Sequence, residues 1–213
     1  MAGEAFDTSA WPTREVILLH ASRLFANRGF LGTSTRDIAT AVGIRQPSVY
    51  SHFPSKQAIA EELLRRDLYA GIAALEGFAA EAASAPVGLY RYLLWEVTYV
   101  RDTPFDLRPL YLGEILDLPE FEEGRRLNAV YEQLLSAMLQ RGVDSGDFLD
   151  IDVAFVLRAV DAIILEAIRG AADRRQHRIL DDPDLAATFV VRALLCRPSR
   201  LRAIRTAAHR PQP

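Results

Sequence analysis

The side chains best equipped for recognition chemistry crowd into GIRQPSVYSHFPSKQ, residues 43–57. Arg45, Gln46, Ser48, Tyr50, His52 and Lys56 bring permanent cations, an amide, hydroxyls and an imidazole into one short stretch. A glutamine amide donates and accepts together and so pairs bidentately with adenine; arginine does the same with guanine, and serine suits either. Tyrosine and histidine reach phosphate oxygens. Lys56 is the only lysine in the chain, all other permanent side-chain cations being arginine. A cation in the first turn of a helix opposes the macrodipole by a few tenths of a kcal/mol. A phosphate at that helix end reverses the sign, because free N–H groups and the ammonium then share one anion.

These residues need elements that hold them. Pro12 suits a first helical turn with Thr13 or Ser9 near the cap, and apolar residues at helical spacing carry that helix to Asn27, Arg28 and Gly29. Ser34 followed by Asp37 three residues later predicts a capped second helix with Ile38, Ala39 and Val42 on its apolar face. Gly43 supplies a turn where positive φ costs little. A further short helix runs from about Gln46 to Phe53, with Pro47 at or next to its first position, where the missing N–H is not needed. Ser55 caps a longer helix bearing Ile59, Leu63, Leu64 and Leu68 at core spacing.

Two short helices joined by a glycine turn match a helix-turn-helix. Ala39 permits close approach, Val49 packs beneath the second helix, and Ile38 and Ile44 complete a small core. With Val49 and Phe53 facing inward, Gln46, Ser48, Tyr50, Ser51 and His52 are left on or beside the outer side.

Net charge over the 213 residues is -3, so any footprint for a polyanion is local. Between residues 10 and 57 the cations are Arg14, Arg23, Arg28, Arg36, Arg45 and Lys56 against Glu15 and Asp37 alone, a local excess of four positive charges. The single cysteine, Cys196, forms no internal disulfide and belongs to no Cys/His cluster, which fits a reducing compartment. The N-terminal stretch lacks a basic region followed by an apolar run, so a soluble, cytoplasmic protein is expected.

The remaining chain also reads as helical, making the fold class all-α: a three-helix domain at residues 10–56, a larger domain at 57–196, and a basic, flexible tail at 197–213. A helix from about 88 to 101 places Leu93, Leu94, Val97 and Val100 on one face and Tyr92, Trp95, Glu96 and Tyr99 on another. That second face could line a pocket in which Glu96 favours a cationic or hydroxylated ligand; Phe105 and Tyr111, with Phe78 and Tyr131, are further candidates. The bland alternative is an aromatic core. Proline-punctuated broken turns precede a helix over 121–141. Residues 151–168 are apolar nearly all round and 183–196 are similarly rich, which calls for a second buried face. His177, among arginines, reads as a solvated loop without metal-ligand spacing. No cofactor motif occurs, and an enzyme using the aromatic cleft finds no nucleophile elbow, phosphate loop or metal-binding helix signature. A helical homodimer whose helix-turn-helix contacts protein is the other alternative.

The stretch LFANRGFLGTSTRDIATAVGIRQPSVYSHFPSKQAI, residues 24–59, resembles the TetR family of bacterial transcriptional regulators. The matching residues are Thr33, Ser34, Arg36, Asp37, Ile38 and Ala39, then Gly43, then Val49, Tyr50, His52 and Phe53, and then Ser55 and Lys56. By position, the resemblance implies DNA-contacting roles for Thr35, Arg36, Gln46, Pro47, Ser48, Tyr50, His52 and Lys56. Arg45 departs from the usual Ser or Thr cap and becomes a possible additional base or phosphate contact. The family also implies a homodimer through residues 151–168 and 183–196, a double-stranded operator, and a small-molecule effector held by the C-terminal domain. With those catalytic signatures missing, no enzymatic activity is expected.

Overall fold

The computed structural model describes residues 7–113, 115–172 and 182–210. Among them the regular structure is helical: α1 Thr13–Arg28, α2 Thr35–Val42, α3 Gln46–Tyr50, α4 Lys56–Glu81, α5 Ala85–Asp102, α6 Arg108–Tyr111, α7 Glu122–Asp144, α8 Val153–Ala172, α9 Pro183–Leu194 and α10 Leu201–Ala208. Short 3-10 turns occupy Ile115–Asp117, Pro119–Phe121 and Pro198–Arg200. An isolated antiparallel bridge joins Phe148 and Leu195. The all-α expectation is met, and no described helix is long and apolar enough to cross a membrane.

The chain packs as two compact units. The first contains residues up to Asp67 together with Thr103–Arg125; the second contains Leu68–Asp102 and the residues from Arg126 onward. This division differs from a boundary at residue 56. The first turns of α4 carry Ile59, Ala60, Leu63 and Leu64 into the core of the first unit. The 103–125 segment returns to that unit as well: Asp106 N–H donates to Ser22 Oγ (3.1 Å) and the Phe121 ring meets Phe30 edge-on at 5.2 Å.

In the first unit, α1 buries Ile17, Leu18, Leu19, Ala21 and Phe25. A charged network ties α1 to α4: Glu62 accepts from Arg14, Arg65 and Arg66, and Arg66 also holds Glu15 through two bonds of 2.6 and 2.8 Å. Burial opposes ionisation of Glu62, but the hydrogen bonds from Arg65, Arg66 and Arg14 outweigh it and hold the carboxyl at about 2.

In the second unit, α5 packs against α8, α9 and α10. Gly142 lies so close to the Phe148 ring that a Cβ there would stand 2.0 Å from it, which is why this turn of α7 carries no side chain. Bonds from Leu149 N–H to Leu194 O (2.8 Å) and from Cys196 N–H to Asp147 O (3.0 Å) fasten the following loop to the end of α9.

The expected flexible tail is corrected at residues 201–208, which form α10. Leu201, Ile204 and Ala208 recur on one face, and Ile204 and Ala208 are buried. The C-terminal carbonyls of α10 have a donor: Arg91 reaches Ala207 O (3.0 Å) and Ala208 O (3.3 Å). Asp184 accepts from Arg205 (2.6 Å) and lies 3.0 Å from His209 Nε2. Arg202 and Arg205 lie on the exposed side of α10. Residues 211–213 of the tail and His177 lie outside the described residues.

Candidate nucleic-acid interface

The helix-turn-helix assembles from local rules. Ser34 caps α2 by accepting from Asp37 N–H (3.1 Å), and Asp37 Oδ2 accepts from Ser34 N–H (2.9 Å), so the predicted capping box is complete. Gly43 adopts φ 77° and ψ 28°, a left-handed geometry that satisfies the last carbonyls of α2 and turns the chain. Ile44 N–H donates to Ala39 O (3.0 Å). Pro47 lies in the first turn of α3, and Arg45 precedes the helix without any side-chain cap bond. Beyond the five residues of α3, Ser51 N–H donates to Pro47 O and Phe53 N–H to Val49 O, so the turn persists to Phe53.

Burial separates the two faces as expected. Ile38 and Val49 are inaccessible, Ala39 and Phe53 are buried, and Ile44 is half-buried. Arg36, Arg45, Pro47, Ser48, Tyr50, Ser51 and His52 are exposed. Tyr50 is 49% exposed, a large aromatic presented to solvent where packing does not require it.

A second feature was not legible in the spacing. Gln46 Nε2 donates to Thr35 Oγ1 (2.9 Å), and Thr35 Oγ1 shares a hydrogen bond with Tyr50 OH (3.2 Å). Side chains from α2 and α3 thus form one cross-linked group, with Gln46 and Thr35 half-buried. Orientation is fixed before any partner arrives, which lowers the ordering cost of binding.

Lys56 stands at the first position of α4 and is half-buried. Its Nζ donates to Phe30 O (2.6 Å) and Thr33 O (2.8 Å) and lies 4.2 Å from the centre of the Phe30 ring. No sequence signal announces these partners, because two are backbone carbonyls more than twenty positions away.

The expected effector residues divide between the two units. Tyr92, Trp95, Glu96 and Tyr99 stand together on α5 in the second unit. Tyr92 is fully buried; its OH donates to Glu96 Oε2 (3.0 Å) and shares a hydrogen bond with Tyr131 OH. Burial, then the Glu96 carboxylate, holds that hydroxyl protonated well above the usual tyrosine range. Trp95 and Tyr99 are half-buried and stack at 5.0 Å with planes 16° apart. Tyr92 therefore belongs to the core as much as to an aromatic face, so the division of α5 into aliphatic and aromatic sides is incomplete. Phe105 and Tyr111 belong to the first unit, where Tyr111 OH donates to Asp67. Composition does not reveal that the 103–125 segment packs with the first unit.

The described residues of α8 and α9 leave apolar side chains in solvent: Phe155 is 72% exposed, Leu185 56% and Phe189 68%. No group of three or more His, Cys, Asp or Glu among the described residues could hold a metal ion.

Comparison with known proteins agrees with this geometry. Residues 17–63 match the bacterial regulatory proteins of the tetR family. The HTH-type transcriptional repressor KstR2 of Mycolicibacterium smegmatis is 31% identical over 161 residues, covering 72% of this chain and 78% of that protein. KstR2 of Rhodococcus jostii is also 31% identical, over 170 residues, covering 78% and 83%. Among solved structures, the ketosteroid transcriptional regulator KstR2 of Mycobacterium tuberculosis has a TM-score of 0.74 at 22% identity, covering 88% of this chain and 97% of that one. AmtR of Mycobacterium smegmatis has the same TM-score at 23% identity, covering 94% and 97%. The motif match, together with identity sustained across most of the KstR2 repressors, shows that the chain belongs to the TetR family of bacterial transcriptional regulators.

Proposed function

We propose that the protein is a homodimeric transcriptional repressor that reads a pseudo-palindromic operator and is released from it by a small-molecule effector. The observation that carries this is the exposed face of α3 and the turn after it: Ser48, Tyr50 and His52 face solvent over a buried Val49 and Phe53, with Gln46 and Tyr50 each bonded to Thr35. Such a helix suits the major groove, with Gln46 and Ser48 toward base edges and Arg36, Arg45, Tyr50 and His52 toward bases or phosphates. Pro47 contributes shape and preset φ rather than a donor. A regulator of this kind acts where the chromosome is, in the cytoplasm.

Dimerisation follows from α8 and α9. Phe155, Leu185 and Phe189 are large apolar groups in water, and a two-fold partner presenting the same patch would bury them. Two recognition helices would then fall about 34–36 Å apart, one turn of duplex. Effector response is assigned to the second unit, where the α5 aromatic group with Glu96 offers flat apolar surface beside hydrogen-bonding groups. The structural likeness to a ketosteroid regulator and to AmtR is equal in TM-score, so the chemical identity of the effector is not borrowed from either.

The test is a fluorescence-anisotropy titration of the purified protein with its own promoter region against random duplex of equal length. Preference for the promoter, weakening steeply with salt, is the expected result. Equal affinity for both duplexes sinks the proposal.

A further inference from the structure

We propose that the second unit carries a further small-molecule site, apart from the α5 aromatic group, which takes a compact apolar molecule bearing a carboxylate. It lies where the end of α4, the start of α5 and the end of α7 meet, in a cavity of about 310 Å3 that none of Tyr92, Trp95, Glu96 and Tyr99 lines.

The cavity follows from the sequence between α4 and α5. Residues 79–85 read AAEAASA, so the turn is built almost wholly from short side chains. Gly88 is buried in the first turn of α5, where a Cβ would stand 3.1 Å from Phe78 O and 3.2 Å from Ala82 Cβ. The ends of α4 and α5 are held close at that point. Beside it Ala82 and Ala83 end at Cβ and leave space unfilled, with the half-buried Phe78 as an aromatic wall. A cavity of this size is at the lower end for small-molecule sites and has room for a single ring with a short substituent.

The polar side comes from α7 and the loop after it. Arg141 is exposed and spends Nη1 on Ala79 O (3.2 Å); among the described residues it holds no carboxylate. A guanidinium carries five donors in a planar fork, so those remaining suit both oxygens of one carboxylate. Asp147 also lines the cavity, but Arg200 already donates to its Oδ1. The one acidic group is thereby balanced, and Arg141 is left as the uncompensated charge, which selects an anion over a cation. The Ser84 hydroxyl adds a further donor to the same lining. Asp147 also fastens the rim to its surroundings. Its carbonyl accepts from Cys196 N–H (3.0 Å), just beyond α9, and its carboxylate from Arg200, just before α10. A molecule seated on Arg141 therefore restrains the joints between α7, α9 and α10.

Benzoate, benzamide and benzylamine share one ring and differ in the charge of the group it bears, and they serve as probes of the full chain without DNA. In saturation-transfer NMR titrations benzoate is expected to bind with a Kd of about 1 mM or below, at least about tenfold tighter than either analogue. Arg141→Gln, which keeps a donor for Ala79 O, is expected to remove that preference. Ala83→Phe, which fills the cavity from an exposed position, is expected to weaken benzoate at least about tenfold. With benzoate at about ten times its Kd, amide exchange over 141–148 and 195–200 slows by up to about tenfold while that over 92–99 is unaltered. Equal binding of benzamide or benzylamine overturns the proposal, as does benzoate binding that neither substitution alters, or no saturation by about 10 mM. Protection confined to 92–99 puts benzoate at the α5 group and overturns it too. If either variant fails to fold, the comparison of probes and the exchange pattern in the unaltered protein decide. No readout here uses DNA, so a missing operator preference and a missing site are told apart.

Discussion

The two packing units spend their exposed side chains in opposite ways. In the first, the exposed groups of α2, α3 and the turn after it include Arg36, Arg45, Ser48, Tyr50 and His52, with Leu31 in the preceding turn an apolar exception. In the second, α8 and α9 expose Phe155, Leu185 and Phe189. A surface of cations and hydroxyls suits a hydrated polyanion, whereas a surface of phenyl and isobutyl groups suits another apolar face. The polar networks differ too. The first unit is laced by an ion network around Glu62 and by the Thr35, Gln46 and Tyr50 group, and the second is centred on Tyr92 with Glu96 and Tyr131.

Breaking the apolar surface is expected to have the largest effect. Phe155→Glu with Phe189→Glu places charge at the proposed two-fold face; sedimentation is expected to find monomer, with operator affinity reduced at least about 100-fold because each half-site is then bound alone. A dimer that survives both changes would move the interface elsewhere. The polar surface is sharpened by Tyr50→Ala, which removes an exposed ring and the partner of Thr35; affinity is expected to fall about tenfold with little change in Tm, as read by anisotropy and calorimetry.

The interior of the first unit is tested by pH. Because the folded-state carboxyl of Glu62 lies at about 2, below its usual 4.5, its contribution is present above pH 4.5 and is lost as pH falls toward 2. Glu62→Gln is expected to cost about 2 kcal/mol at pH 7 and to flatten the acid limb of a Tm-versus-pH curve over that window. An acid limb identical to that of the parent would mean other carboxylates govern it. The smallest effect is expected of Arg45→Ala: a few-fold loss of affinity and a salt slope lower by about one if it meets a phosphate, or altered preference at one base pair if it meets a base.

Much of this molecule is readable from local rules. Ser34 and Asp37 sit three apart, which is enough to specify a capping box; Gly43 is the residue that reaches φ 77° cheaply; Pro47 and Ser55 begin helices for reasons confined to one turn. The alternation of Val49 and Phe53 with Ser48, Tyr50 and His52 separates the two faces of α3 by helical period alone. These features need no partner distant in the chain, so composition and spacing carry them.

What tertiary structure decided lies wherever a partner is distant or made of backbone. The carbonyls that receive Lys56 have no side-chain signature, and the packing of residues 103–125, with Phe105 and Tyr111, into the first unit rests on partners such as Ser22, Phe30 and Asp67 that are distant in the chain. The same holds for the tail, where Leu201, Ile204 and Ala208 become a helix because Arg91 and Asp184, from α5 and α9, receive its ends and its cations. Periodicity identifies which face of a helix is apolar, but only packing selects what covers it, since burial free energy depends on area removed from water and not on which residue removes it.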